Sequence, residues 1–119
     1  MEEVVIWHNP RCSKSRNALN LLEEKNIDSK VFDYLESKPT RKEITNILEL
    51  LSINAKDLLR KSETIYKELN LKEENDENKI IDAMVENPIL IERPIIIDGD
   101  EAVIARPIEN MELLLKKYM

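Results

Sequence analysis

Apolar residues fall into short β-branched runs near the two ends of this chain and into helically spaced stripes between them. Val4-Val5-Ile6-Trp7 is short, β-branched and aromatic, which predicts a strand rather than a helix. Pro10 cannot donate to a ladder and holds Asn9 extended, so that strand ends there. From Ser13 the period becomes helical, with Ala18, Leu19 and Leu22 on one face and Asn26 at the left-handed stop position. Lys30–Leu35 reads as a second strand, and the helix between the two runs makes the pair parallel. Glu36–Pro39 breaks the pattern. Thr40-Arg41-Lys42-Glu43 is a capping box opening a helix with Ile44, Ile47, Leu48 and Leu51 inward. Asn54 is placed to cap a short helix running through Leu58 and Leu59 to Arg60. Another helical piece covers Ile65–Leu69, and one starting near Asp76 carries Ile80, Ile81, Met84 and Val85 up to the stop at Asn87-Pro88. The polar stretch Lys72–Lys79 reads as a solvated loop and helix start.

Strand character returns at Pro94–Ile97 and Ala102–Ala105. Asp98-Gly99-Asp100-Glu101 between them is a strong hairpin signal. Pro107 suits the first turn of a closing helix with Met111, Leu114 and Leu115 inward. The expected architecture is therefore α/β, a single domain over 1–119. A mixed four-stranded sheet has a helical insertion at about 40–87 between its second and third strands.

Composition narrows the chemistry. A formal net charge of -6 argues against general nucleic-acid binding and against binding to anionic membranes. No apolar run approaches a membrane span, and the acidic Met1-Glu2-Glu3 start is unlike a signal peptide. Any anion must be held by a local cluster of cations. One cysteine cannot close an internal disulfide, which points to a reducing, cytoplasmic setting. One His and one Cys form no zinc constellation, so no metal site is expected, and a single glycine leaves no Gly-rich phosphate loop.

Cys12 lies where the strand-loop passage turns into the first helix, beside free backbone N–H groups and the positive end of the helix dipole. Arg11, Lys14 and Arg16 flank it, and His8 comes within reach if the loop folds back. A free cysteine is commonly a small buried hydrophobe. Neighbours such as Arg11, Ser13 and Lys14 make a poor core, and a helix start with nearby cations depresses a thiol pKa, so the residue reads as a nucleophile.

Four separated motifs carry a further expectation: His8-Asn9-Pro10-Arg11-Cys12-Ser13-Lys14-Ser15-Arg16, Leu58-Leu59-Arg60-Lys61, Asn87-Pro88-Ile89-Leu90-Ile91-Glu92-Arg93-Pro94-Ile95, and Ala105-Arg106-Pro107. In this order, nearly from end to end, the chain resembles the glutaredoxin-dependent arsenate reductases. That resemblance implies a thioredoxin-like fold with a cis proline, Pro94, opening the third strand and Arg93 turned toward Cys12. It implies Cys12 as nucleophile, His8 and Ser15 as residues assisting the thiolate, and Arg60, Arg93 and Arg106 as the oxyanion-binding set. It also implies arsenate as substrate, glutathione as co-substrate with no bound cofactor, glutaredoxin as the resolving partner, and a role in arsenic detoxification. Guanidinium groups suit such a substrate because they neutralise a tetrahedral anion and grip its oxygens through paired donors. Each arginine also has a plain alternative as a surface ion-pair residue.

Cys12-Ser13-Lys14-Ser15 lacks the second cysteine of a dithiol oxidoreductase, which argues against a general disulfide reductase. Two other readings stand beside this one. The first is a thioredoxin-like redox-responsive transcription regulator that binds RNA polymerase, typically marked by a Cys-x-x-Cys pair. The second is a related reductase acting on another oxyanion or on a glutathione adduct.

Overall fold

β1 (Val4–His8) is the strand around which the sheet is built. It pairs in parallel with β2 (Ser29–Asp33), Ile6 opposite Val31, and antiparallel with β3 (Ile95–Asp98), Ile6 opposite Ile96. β3 pairs antiparallel with β4 (Glu101–Ile104), giving the order β2-β1-β3-β4 and a mixed, thioredoxin-like sheet. The computed structural model describes residues 4–119. They divide into two units, one formed by the chain up to Ser37 with Arg93–Met119, the other by Lys38–Glu92.

In the first unit, strand alternation sorts side chains between the two faces. Val4, Ile6, Ile96 and Ala105 pack with Ala18 and Leu22 of α1 (Ser13–Glu24), with Met111 of α6 (Glu109–Leu114) and with Leu115. Leu22 is wholly buried there, and its truncation to Ala would cost about 2–5 kcal/mol. The alternate positions place Trp7 against Phe32, ring centroids 5.1 Å apart, and against Tyr34, 6.2 Å apart. Helix α1 ends as its sequence predicts. Asn26 adopts φ 55°, and the Ile27 N–H reaches back to the Leu22 carbonyl at 2.9 Å.

Three expected boundaries move. The second strand stops at Asp33 rather than Leu35, because the Asp33 carboxylate accepts the N–H groups of Leu35 (3.2 Å) and Glu36 (3.4 Å) and opens α2 (Tyr34–Ser37). The break falls afterwards at Lys38, with φ 50°. At the hairpin, Asp98 faces Glu101 and the two turn residues are Gly99-Asp100, with Gly99 taking the positive φ (63°) that a side chain would resist. Pro107 lies ahead of the last helix instead of within its first turn. Its carbonyl accepts the Asn110 N–H at 3.1 Å, while Asn110 Nδ2 donates to the Ile104 carbonyl and ties the helix start to the end of β4. The Arg93–Pro94 bond is cis, as expected, and so is Arg106–Pro107.

The second unit is helical. α3 (Arg41–Leu51) opens on the full capping box, Thr40 Oγ1 accepting from the Glu43 N–H and Glu43 accepting from the Thr40 N–H. Ile44, Ile47 and Leu48 are buried, with Ile80, Ile81 and Met84 of α5 (Glu77–Glu86) also in the core. Arg41 ties these helices at their surface through Asp82 and Asn78. Asp76 caps α5 by accepting from Asn78 and Lys79. Asn54 occupies a cap position but makes no side-chain cap. The Glu77 carboxylate, 22 residues on, takes the Ala55 N–H instead, and the turn that follows is a 3-10 helix ending at Leu58 rather than at Arg60.

Between α3 and α5 lie α4 (Thr64–Glu68) and a 3-10 turn, Leu71–Glu73, and a further 3-10 turn, Pro88–Leu90, follows α5. The stretch expected to be a solvated loop is tethered: Lys56 Nζ donates to the carbonyls of Lys72 (2.8 Å) and Glu74 (2.9 Å) and to Asn75 Oδ1 (3.3 Å). Among the described residues no helix is long and apolar enough to cross a membrane.

Candidate active site

Asn9 builds the loop that carries the cysteine. Its carbonyl accepts the Cys12 N–H at 3.0 Å, and its Oδ1 accepts the Arg11 N–H at 3.0 Å. Its own N–H donates to Ser15 Oγ at 3.0 Å. Arg16 Nη1 closes the loop from outside by donating to the Pro10 carbonyl at 2.9 Å. Cys12 is thereby fixed in an extended conformation at the cap position of α1, partly buried, at the end of the helix where the backbone N–H groups are free.

Ser15 and His8 form the buried side of this loop. Ser15 is wholly inaccessible and Oγ lies 2.7 Å from His8 Nδ1. With the Asn9 N–H donating to Oγ, the hydroxyl proton is available for Nδ1 of a neutral imidazole. His8 is held neutral: burial lowers its pKa below 6.5, and the Arg16 charge adds to this. The Asp33 carboxylate and the hydrogen bond with Ser15 pull the other way without prevailing. Asp33 stands opposite His8 in the parallel register of β1 and β2.

Sheet topology brings in Arg93. Because β3 runs antiparallel to β1 with Ile95 opposite Trp7, the residues just before β3 emerge at the end of β1 from which the Cys12 loop departs. Arg93 is 7% exposed, and its guanidinium lies close enough to Cys12 to favour the thiolate. The thiol pKa reflects the balance at this spot. Burial raises it, but the Ser15 N–H, the Arg93 side chain and the Lys14 N–H, together with the Arg93 charge, favour the anion and bring the value below that of an ordinary thiol. Three donors and a cation outweigh the desolvation of one sulfur.

His8 and Ser15 share a hydrogen bond on the buried side of the Cys12 loop, and Arg93 favours the thiolate from the start of β3, all within the first unit. Arg106 follows β4, whose Ile104 pairs with Ile95, so it emerges at the same end of the sheet. It lines an open cleft with Lys14 and Asn17 of α1. Arg60 belongs to the second unit. There its N–H donates to the Leu90 carbonyl at 2.7 Å, and its guanidinium pairs with Glu92 at 3.2 Å and Glu63 at 3.4 Å. Residues Leu59 and Ile91 form an antiparallel bridge beside it. Two contributors were not singled out from the sequence. Asn9 was read only as a strand end, although an Asx residue before proline is a recognised loop organiser. Asp33 has no local signal, because its proximity to His8 comes from strand register.

A mixed sheet in the order β2-β1-β3-β4, with the single cysteine of the sequence at the start of the first helix and Arg93 arriving beside it from the start of β3, defines a thioredoxin-like protein. The chain belongs to the ArsC family, whose model matches residues 7–114. It is 42% identical over 117 residues to the arsenate reductase of Neisseria meningitidis serogroup A, covering 97% of this chain and 100% of that one. It is also 45% identical over 112 residues to the uncharacterized protein YfgD of Escherichia coli K12, covering 92% and 94%. Among solved structures it superposes on an arsenate reductase from Vibrio cholerae with a TM-score of 0.87 at 41% identity, covering 92% of this chain and 94% of that one.

Proposed function

We propose that this protein reduces arsenate to arsenite with Cys12 as nucleophile, using glutathione as co-substrate and glutaredoxin as the resolving partner, in the cytoplasm. The observation that carries the reading is the setting of the thiol: Cys12 sits partly buried at the cap position of α1, with Arg93 arriving at the same end of the sheet and its charge favouring the thiolate. A tetrahedral anion arriving there meets a nucleophile and a guanidinium together, so the repulsion between thiolate and oxyanion is offset where the bond must form. The names of the relatives point to the same chemistry.

The Cys12 thiolate attacks arsenic, and one arsenate oxygen departs as water with protons from substrate and solvent. Glutathione's thiolate then attacks the Cys12 sulfur. The sulfur–arsenic bond breaks with its electron pair on arsenic, which falls from As(V) to As(III), and a Cys12–glutathione disulfide forms. Two sulfurs lose the two electrons that arsenic gains. Glutaredoxin takes up the glutathione moiety and frees Cys12. Arg93 and Arg106 are the first-unit residues given to oxyanion binding; Arg60 joins them on the resemblance of its Leu58–Lys61 motif.

The test is a coupled assay containing the protein, arsenate, glutathione, glutaredoxin and its recycling reductase, followed by loss of NADPH. Arsenate-dependent turnover that disappears in Cys12→Ser is expected. No turnover above the protein-free blank would remove the activity, and full turnover with thioredoxin replacing both thiol donors would remove the donor assignment.

A further inference from the structure

The cleft beside Arg106 has a charge pattern of its own. It measures about 400 Å³ and is lined by Lys14, Asn17, Arg106 and Glu109 together with the apolar Pro107 and Ile108. That volume lies within the roughly 300–1,000 Å³ usual for small-molecule sites. Among the described residues none forms an ion pair with Lys14, Arg106 or Glu109. Two cations and one carboxylate, with an amide between them, thus stand uncommitted on the walls of one concavity.

We propose that this cleft is the subsite for the glutathione moiety that reacts at Cys12, with Lys14 and Arg106 receiving its two carboxylates and Glu109 its ammonium. This rests on the reductase reading above and specifies the thiol donor's place within it. Glutathione is a tripeptide thiol with two carboxylates and one ammonium, and the cleft offers the opposite charge for each.

The reach is adequate. Lys14 lies two positions beyond Cys12, about 3 Å further along the helix axis. Arg106 emerges at the end of the sheet from which the Cys12 loop leaves. An extended tripeptide spans roughly 10 Å, so one whose sulfur is at Cys12 can extend its ends along these walls. Arg106 then answers to two anions in turn, the oxyanion and the donor's carboxylate, and the side chains of Lys14 and Glu109 serve the donor only.

The test reads donor recognition without arsenate. The Cys12 thiolate attacks one sulfur of glutathione disulfide, a Cys12–glutathione bond forms, the original S–S bond breaks, and one glutathione thiolate leaves. The second-order rate is measured against that with hydroxyethyl disulfide, an uncharged probe whose rate carries any change in the thiolate itself. For both Lys14→Ala and Glu109→Ala the ratio of the two rates should fall about two- to fivefold, the range for partly exposed charge pairs. Unchanged ratios in both would overturn the subsite. So would a fall in Lys14→Ala with a rise in Glu109→Ala, because that pattern reports only the net field acting on an anionic probe.

The two readings fail separately. Selectivity for glutathione disulfide that survives in both Lys14→Ala and Glu109→Ala, in a protein that reduces arsenate, refutes the cleft and leaves the reductase reading standing. Selectivity that depends on Lys14 and Glu109, in a protein that reduces no arsenate, refutes the substrate and leaves the cleft standing.

Discussion

At the scale of single residues, Cys12 carries a sulfur that burial alone would keep protonated. Its pKa is lowered because the Ser15 and Lys14 N–H groups and Arg93 together exceed that penalty. Removing the guanidinium leaves desolvation less opposed, so Arg93→Ala should move the midpoint of iodoacetamide alkylation upward. A wild-type midpoint at or above about 8.5, the free-thiol value, would contradict the whole account of Cys12. If Arg93 also meets the oxyanion, the same variant should lose about 10²–10³-fold in kcat/KM for arsenate. Arg93→Lys should then restore the midpoint better than the turnover, since an ammonium returns charge without paired donors. His8 gives a second measurable sign. Its folded pKa lies below 6.5, so between the folded value and 6.5 the unfolded chain binds the proton more readily. The stability His8 contributes is therefore complete above pH 6.5 and lost as pH falls through the folded value. Denaturation midpoints of wild type and His8→Gln, followed downward from pH 7, should differ in slope over that window, the wild type falling faster. Parallel curves would mean that His8 does not resist protonation.

At the scale of elements, periodicity and caps located most of the secondary structure, and what they missed has identifiable causes. The Thr40 capping box, the Asn26 helix stop, the Asp76 cap and the parallel β1–β2 pair rest on interactions within a few residues or on chain direction, which the sequence displays. The end of β2 was misplaced because Val31 to Leu35 has strand character throughout, and the Asp33 carboxylate then captures two N–H groups. Asn54 was a reasonable cap by type, but this helix start is held by Glu77 of another helix, which accepts the Ala55 N–H, a contact no local window contains. The same division holds at the site. Cys12 was legible from its place at a helix start and His8 from its reach within the same loop, whereas Ser15 and Arg93 were named only through the resemblance of their motifs. Asp33 and the Lys14–Arg106 cleft depend on which strands are neighbours. The local devices are quantitatively testable. Thr40→Ala removes one bond of a reciprocal pair and should cost about 1 kcal/mol in urea denaturation. A loss within error would mean that the box, although formed, adds nothing to stability.

At the scale of the whole molecule, the charge balance and the cysteine count constrain the reaction more tightly than any single contact. A chain of net charge -6 concentrates the cations its chemistry needs. Arg93 lies at the sulfur, with Arg106 and Lys14 at the same end of the sheet, while Arg60 is engaged by Glu63 and Glu92 in its own unit. Reduction of arsenic takes two electrons, and the sequence holds one thiol. One electron equivalent must therefore come from another molecule, and the oxidised protein cannot relax into an internal disulfide. Under the proposed reaction, a single turnover with arsenate and glutathione but no glutaredoxin should leave each chain bearing one glutathione through Cys12 and release one arsenite per chain. Intact-mass spectrometry under non-reducing conditions reads the first and arsenite quantification the second. Adding glutaredoxin should return the free thiol, and Cys12→Ser should acquire no adduct. A chain-to-chain disulfide dimer in place of the adduct would show that a second copy, rather than glutathione, supplies the second sulfur. Arsenite formed with Cys12 still free in the absence of glutaredoxin would mean that the disulfide never passes through this residue.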